Sequence, residues 1–203
     1  MTRFICLDGA GRRRTTSASS ERQSLGLRRV AEGIELLTER LRLRTPRLDD
    51  APAIQSIAAD RRVALTTASI PHPYPEGGAA RFIAHVLEVA SRERRNLAIV
   101  LRDSGELVGM IGYELKDSEA ELAYMISPNH WGLGYATEAC KKMVAYIFEV
   151  TEATAVFAQA MADNKASEAV LRKSGLRWQR EALVDLPIRS GTFLTSVWRL
   201  GRP

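Results

Sequence analysis

The chain has 203 residues but only two cysteines, Cys6 and Cys140, and three histidines. Two cysteines cannot frame a disulfide miniprotein, and they make no metal-ligand spacing with the scattered His72, His85 and His130. No metal site is expected, and a reducing, cytoplasmic setting is the plain reading. Long apolar runs are also missing. The longest, Met143 to Phe148, is far short of the roughly 20 residues that span a bilayer, so no membrane partner is expected.

Charge of one sign is lacking in most of the chain. The formal net charge is +5, but residues 1 to 30 hold seven arginines against two acids, which accounts for the whole excess. The rest is electrically balanced and gives no reason to expect nucleic acid, whose phosphates call for a basic face. Residues 1 to 35 therefore read as a basic, disordered tail and residues 36 to 203 as one domain. An organellar transit peptide, or contact with nucleic acid or membrane through Arg12 to Arg14, is a minority reading of that tail.

Periodicity gives an α/β reading of about seven strands. Glu39 to Thr45 alternates charged and apolar residues, the mark of a strand with one wet face, and Pro46 ends it. Asp49 and Asp50 open a short helix that buries Ile54, Ile57 and Ala58, and after a Pro/Gly loop Ala79 to Arg94 reads as a second helix. Leu97 to Leu101 and Leu107 to Leu115 form a hairpin, with a further strand from Glu119 to Ile126. A glycine turn then opens a helix with Ala136, Ala139, Cys140, Met143, Val144, Ile147 and Phe148 in one stripe. The chain finishes with a strand over 154–161, a short helix over 164–174 ended by Gly175, and strands near 176–185 and 192–199.

The segment from Met125 to Ala139 carries the chemistry. A strand feeding a glycine turn at a helix start is built for anions, because the first helical N–H groups have no partner and glycine lets the backbone approach a ligand. Glycine spacing excludes two nucleotide motifs. The dinucleotide fingerprint needs a glycine where Thr137 stands, and the Gly-Lys-Ser/Thr ending of an ATP-binding loop is absent.

At these residues the chain resembles the GNAT N-acetyltransferase superfamily, whose acetyl-CoA site follows Q/R-x-x-G-x-G/A. Trp131-Gly132-Leu133-Gly134-Tyr135-Ala136 matches at Gly134 and Ala136 but begins with Trp131, as in the branch resembling the RimJ/RimL ribosomal-protein N-terminal acetyltransferases. A second block, Asn164 to Ser167 followed by Leu171 to Leu176, resembles that branch's N-x-x-S-x-x-x-L-x-K-x-G-F, with Leu176 for Phe. The likeness covers about residues 38 to 200.

The resemblance implies a mixed, mostly antiparallel sheet flanked by about four helices, with the fourth and fifth strands splayed. It implies acetyl transfer from acetyl-CoA to a primary amine, either a protein N-terminal amine or that of a small molecule. The pantetheine arm would lie in the splay along the backbone of Met125, Ile126 and Ser127, and the diphosphate on amides from Trp131, Gly132, Leu133, Gly134, Tyr135, Ala136 and Thr137. Asn164 would help hold the pantetheine and Ser167 would lie near the sulfur; each also reads as an ordinary helix-start residue. For the base the alternating strand offers Glu121, on the cofactor side or the opposite one, with Asp185 as second candidate; Tyr124 is a candidate proton donor. A different class stays open: a non-catalytic acetyl-CoA sensor or scaffold whose tail contacts a partner. Oligomeric state is not legible, though dimers are common in the family, which leaves a homodimer open.

Overall fold

Two short strands, β1 (Glu35–Leu37) and β2 (Leu41–Arg44), pair antiparallel as the first hairpin of the computed structural model, which describes residues 33–186, 188 and 191–203. Residues 1–32 of the basic tail lie outside the described residues, and its last residue, Glu35, belongs instead to β1. β2 alternates as its sequence requires: Leu41 and Leu43 are fully buried, a gain of about 1.5–3 kcal/mol each, and Arg42 and Arg44 lie half-buried on the other face.

After a 3-10 turn, α1 (Ala51–Ala59) buries Ile54, Ile57 and Ala58 at the expected spacing. α2 (Arg61–Thr66) is an additional helix, capped by the Asp60 carboxylate, which accepts from the Arg62 N–H at 2.8 Å. Its six residues are too few to show a period. α3 (Gly78–Glu88) stops short of the expected Arg94. Ser91 explains this, since its hydroxyl accepts from the N–H groups of Glu93 and Arg94 at 3.2 Å each and its own N–H donates to Arg94 O at 2.9 Å. That turn starts β3 (Arg94–Leu101) three residues before Leu97.

β4 (Leu107–Lys116), β5 (Glu119–Ile126), α4 (Tyr135–Val150), β6 (Ala155–Met161), α5 (Lys165–Lys173), β7 (Arg177–Leu186) and β8 (Gly191–Gly201) follow. Among the described residues the sheet has eight strands in the order β1-β2-β3-β4-β5-β6-β8-β7, one more than expected because β1 adds an edge, and five α-helices accompany it. All neighbours are antiparallel except β5 and β6.

One apolar cluster lies on the α4 side and includes Leu122, Ile126, Met143 and Ile147; the other lies under α1 to α3 and includes Met110 and Met125. β5 thus sends even-numbered side chains to one layer and odd-numbered ones to the other. Its parallel pairing with β6 covers only Glu119 with Ala155, Ala120 with Val156 and Glu121 with Phe157. Beyond Glu121 the strands part, β5 staying on β4 and β6 on β8. The expected splay is present, and it opens toward the start of α4.

Candidate active site

α4 begins as the glycine turn requires. Gly132 and Gly134 have φ of +78° and +84°, the left-handed region, and Gly134 is the residue from which the helix departs. A Cβ at Gly132 would meet nothing within 4 Å, so backbone conformation, not crowding, demands glycine there. Among the described residues, no acceptor binds the N–H groups of Gly132 through Thr137. Trp131 departs from the expectation, because its N–H is already bonded to Pro128 O at 3.3 Å. The open amide series starts one residue later.

These amides border a cleft of about 340 Å³ that runs into the splay. Met125, Ile126, Trp131, Gly132, Gly134, Tyr135, Ala136, Thr137, Asn164 and Ser167 all line it. Ser127 and Leu133 do not. The Ser127 N–H donates to Val108 O at 2.8 Å, which ties it to β4, and Leu133 turns its side chain to solvent. With Ser127 bonded to Val108, antiparallel alternation directs the Met125 backbone to β4 as well and turns the polar groups of Tyr124 and Ile126 into the splay. The Trp131 indole N–H occupies Ile126 O at 2.8 Å, fixing the ring as a wall.

A second, smaller cleft of about 50 Å³ lies between β5 and β6 and is walled by Thr66 to Ser69, Ala123, Gln159, Val184 and Leu186 among others. Thr66, Thr67, Tyr124 and Ser167 border both clefts. At that junction the Tyr124 hydroxyl and Ser167 Oγ lie 2.7 Å apart, and Asn164 Oδ1 accepts from the Ser167 N–H at 3.0 Å. Burial pushes the Tyr124 phenol well above its ordinary range, so it keeps its proton at any working pH.

The two carboxylates read as base candidates do not line either cleft. Glu121 is buried, with one oxygen paired to Lys116 and the other, Oε1, without a partner among the described residues. It shares its strand face with Ala123, two residues on, which does line the smaller cleft. Asp185 is exposed and accepts from Thr192 Oγ1 at 2.6 Å. Its neighbours Val184 and Leu186 face the cleft, so alternation turns Asp185 away.

Sequence reading missed Thr66 and Thr67, which α2 delivers, and Lys173, which continues the stripe of Ala166, Ala169 and Val170 along α5. That stripe has helical spacing and was available as a signal. Among the described residues no group of three His, Cys, Asp or Glu could hold a metal, and no helix is long and apolar enough to cross a membrane.

A family profile described as an acetyltransferase (GNAT) domain matches residues 40–177. The chain belongs to the GNAT family. This GNAT chain is 30% identical over 154 residues to the uncharacterized N-acetyltransferase p20 of Bacillus licheniformis, covering 73% of this chain and 84% of that one. Its fold matches a GNAT-family acetyltransferase crystal structure from Bacillus anthracis with a TM-score of 0.73 at 19% identity, over 83% of this chain and 98% of the other. It also matches RimL, a ribosomal L7/L12 alpha-N-protein acetyltransferase solved with coenzyme A, at a TM-score of 0.71 and 13% identity, over 84% and 98%. The GNAT chain is an acyltransferase that uses acetyl-CoA and delivers the acetyl group to an amine. The non-catalytic sensor reading is set aside.

Proposed function

We propose that the larger cleft takes acetyl-CoA, with its diphosphate on the open amides from Gly132 to Thr137, and that the smaller cleft admits the acceptor amine. The observation that carries this is the junction: the clefts share only a few residues, and among them is the hydroxyl pair of Tyr124 and Ser167. The left-handed glycines and the unpartnered amides fit a diphosphate, which needs donors and close approach and no basic side chain.

Bound acetyl-CoA supplies an activated thioester carbonyl. The chain's own groups then have separate tasks. The Tyr124 backbone groups and the Ile126 N–H in the splay align the pantetheine arm, and an N–H there polarises the carbonyl. Tyr124 and Ser167 form a hydrogen-bonded relay that donates a proton toward the departing sulfur. Glu121 Oε1 takes the proton lost by the acceptor through water from the smaller cleft, whose lining contains no Asp or Glu among the described residues. Asp185 has no part in this scheme.

The smaller cleft also bears on acceptor class. Among the described residues no Asp, Glu, Lys, Arg or His lines it, so those residues offer no counter-charge to a polyamine or to an anionic acceptor. It favours an amine that is partly neutral on arrival. An α-amine, pKa about 7.7–8.0, is about one-tenth neutral at pH 7; a lysine-type amine near 10.4 is neutral in only about one molecule in 2,500. The reading is therefore a peptide or protein N-terminal amine with uncharged first residues, which is also the class named for RimL. Calorimetry with Gly134→Asp tests the cofactor half: the added carboxylate should abolish acetyl-CoA binding in a folded variant, and unchanged affinity would refute it. A thiol-release screen over peptides with free or blocked N-termini and with lysine side chains tests the acceptor half. Equal rates on ε-amines would refute that part.

A further inference from the structure

We propose that Arg40, outside both clefts and about a hundred residues from the glycine turn, is a positioning residue for the cofactor's diphosphate. The inference rests on the reading of the Gly132–Thr137 amides as the diphosphate site.

Glu138 poses an electrostatic problem. It stands in the first turn of α4, where a bare carboxylate would repel an anion held by the same helix start. The β1–β2 turn offsets that charge. Glu138 Oε1 accepts from Thr38 Oγ1 at 2.6 Å and from the Arg40 N–H at 2.8 Å, while Oε2 accepts from Arg40 Nε and lies against Nη2, both at 2.7 Å. The two-pronged fork is available to arginine and not to lysine.

Arg40 also reaches the loop itself. Its Nη1 donates to Leu133 O at 3.0 Å, and the guanidinium stacks 4.7 Å from the centre of the Tyr135 ring. Leu133 lies between the two left-handed glycines. Because a trans peptide is planar, holding the Leu133 carbonyl on the Arg40 side sends the Gly134 N–H of the same peptide to the opposite side, where Gly134 borders the cleft. The turn is fixed in its place. Arg102 donates its N–H to Arg40 O at 3.0 Å and its Nη1 to Thr38 O and Glu39 O at 2.7 and 3.1 Å. One residue thus cancels an opposing charge and sets a peptide plane.

The test compares two acetyl donors on the full chain: acetyl-CoA, and S-acetylpantetheine, which lacks the diphosphate. Arg40→Ala should raise KM for acetyl-CoA about tenfold or more, lower kcat much less, and leave KM for S-acetylpantetheine in place. Arg40→Lys should fall between. Adding Glu138→Gln to Arg40→Ala should recover part of the loss, because it removes the uncancelled carboxylate. If Arg40→Ala does not fold, Arg40→Lys and Glu138→Gln give the same comparison. A wild type that prefers acetyl-CoA, with that preference intact in the Arg40 variants, refutes the proposal alone. A wild type that takes both donors with equal KM refutes the diphosphate site and the proposal with it.

Discussion

Removing the phenol of Tyr124 isolates the proton-donor step. Tyr124→Phe deletes one oxygen at the junction of the clefts, together with its 2.7 Å bond to Ser167, and changes little else in shape. The cost to stability is about 1 kcal/mol, that of one hydrogen bond. The kinetic effect follows from the leaving group. An alkyl thiol with pKa about 8.5 is stabilised by protonation at pH 7 by about 1.5 pK units, or about 2 kcal/mol, which caps the loss in kcat near 30-fold. Because burial holds the Tyr124 phenol protonated throughout, the loss should follow the thiol alone, shrinking as pH rises from 6 past about 8.5. The discriminating assay is single-turnover acetyl transfer from two donors, acetyl-CoA and an aryl thioester whose thiol has a pKa below 6. The aryl donor needs no proton on departure, so Tyr124→Phe should slow the first and spare the second. An equal loss with both donors, or none with either, refutes the assignment.

Other outcomes follow from the same geometry. Glu121→Gln should reduce kcat/KM about 100-fold, whereas Asp185→Ala should leave it as it is. Asp50 is buried, which alone would raise its pKa, but the Arg44 fork at 2.7 Å and the Arg47 N–H hold it below the ordinary carboxylate range. A depressed folded pKa stabilises the fold above the unfolded value near 3.9, and this is lost as pH falls through the lower folded value. Thermal melts between pH 6 and pH 3 should therefore fall less steeply in Asp50→Asn than in wild type. Arg202 donates to the carbonyls of Phe148, Thr151 and Ala153 at the end of α4, so Arg202→Ala should cost about 1 kcal/mol, read as a lower Tm with kcat unchanged.

Local signals made most of the site legible. Two left-handed positions and an N-terminal helix stripe are written in Gly132, Gly134 and the apolar spacing of α4, and Asn164 both caps α5 and faces the cleft. The Gly175 ending of α5 also forms as read: its N–H donates to Arg172 O and that of Leu176 to Leu171 O, at 3.1 Å each. What failed to show was tertiary. The orientation of Glu121 depends on where β5 leaves β6, and the Trp131 amide is consumed by a 3-10 turn at Pro128–His130. Ser91, a single side chain, ended α3 early against an apolar pattern that continued past Glu88. Nothing local in the sequence singles out Glu138; only the approach of the β1–β2 turn, 98 residues earlier, gives it a partner.

The account stands on the amides that follow Trp131. Amide hydrogen exchange by NMR on the nitrogen-labelled chain, with and without saturating coenzyme A, reads those groups one by one. The account predicts that Gly132 through Thr137 gain protection and shift together on binding, and that Asp185 and its hairpin neighbours do not. Saturation that leaves those six amides exchanging as freely as before would contradict it.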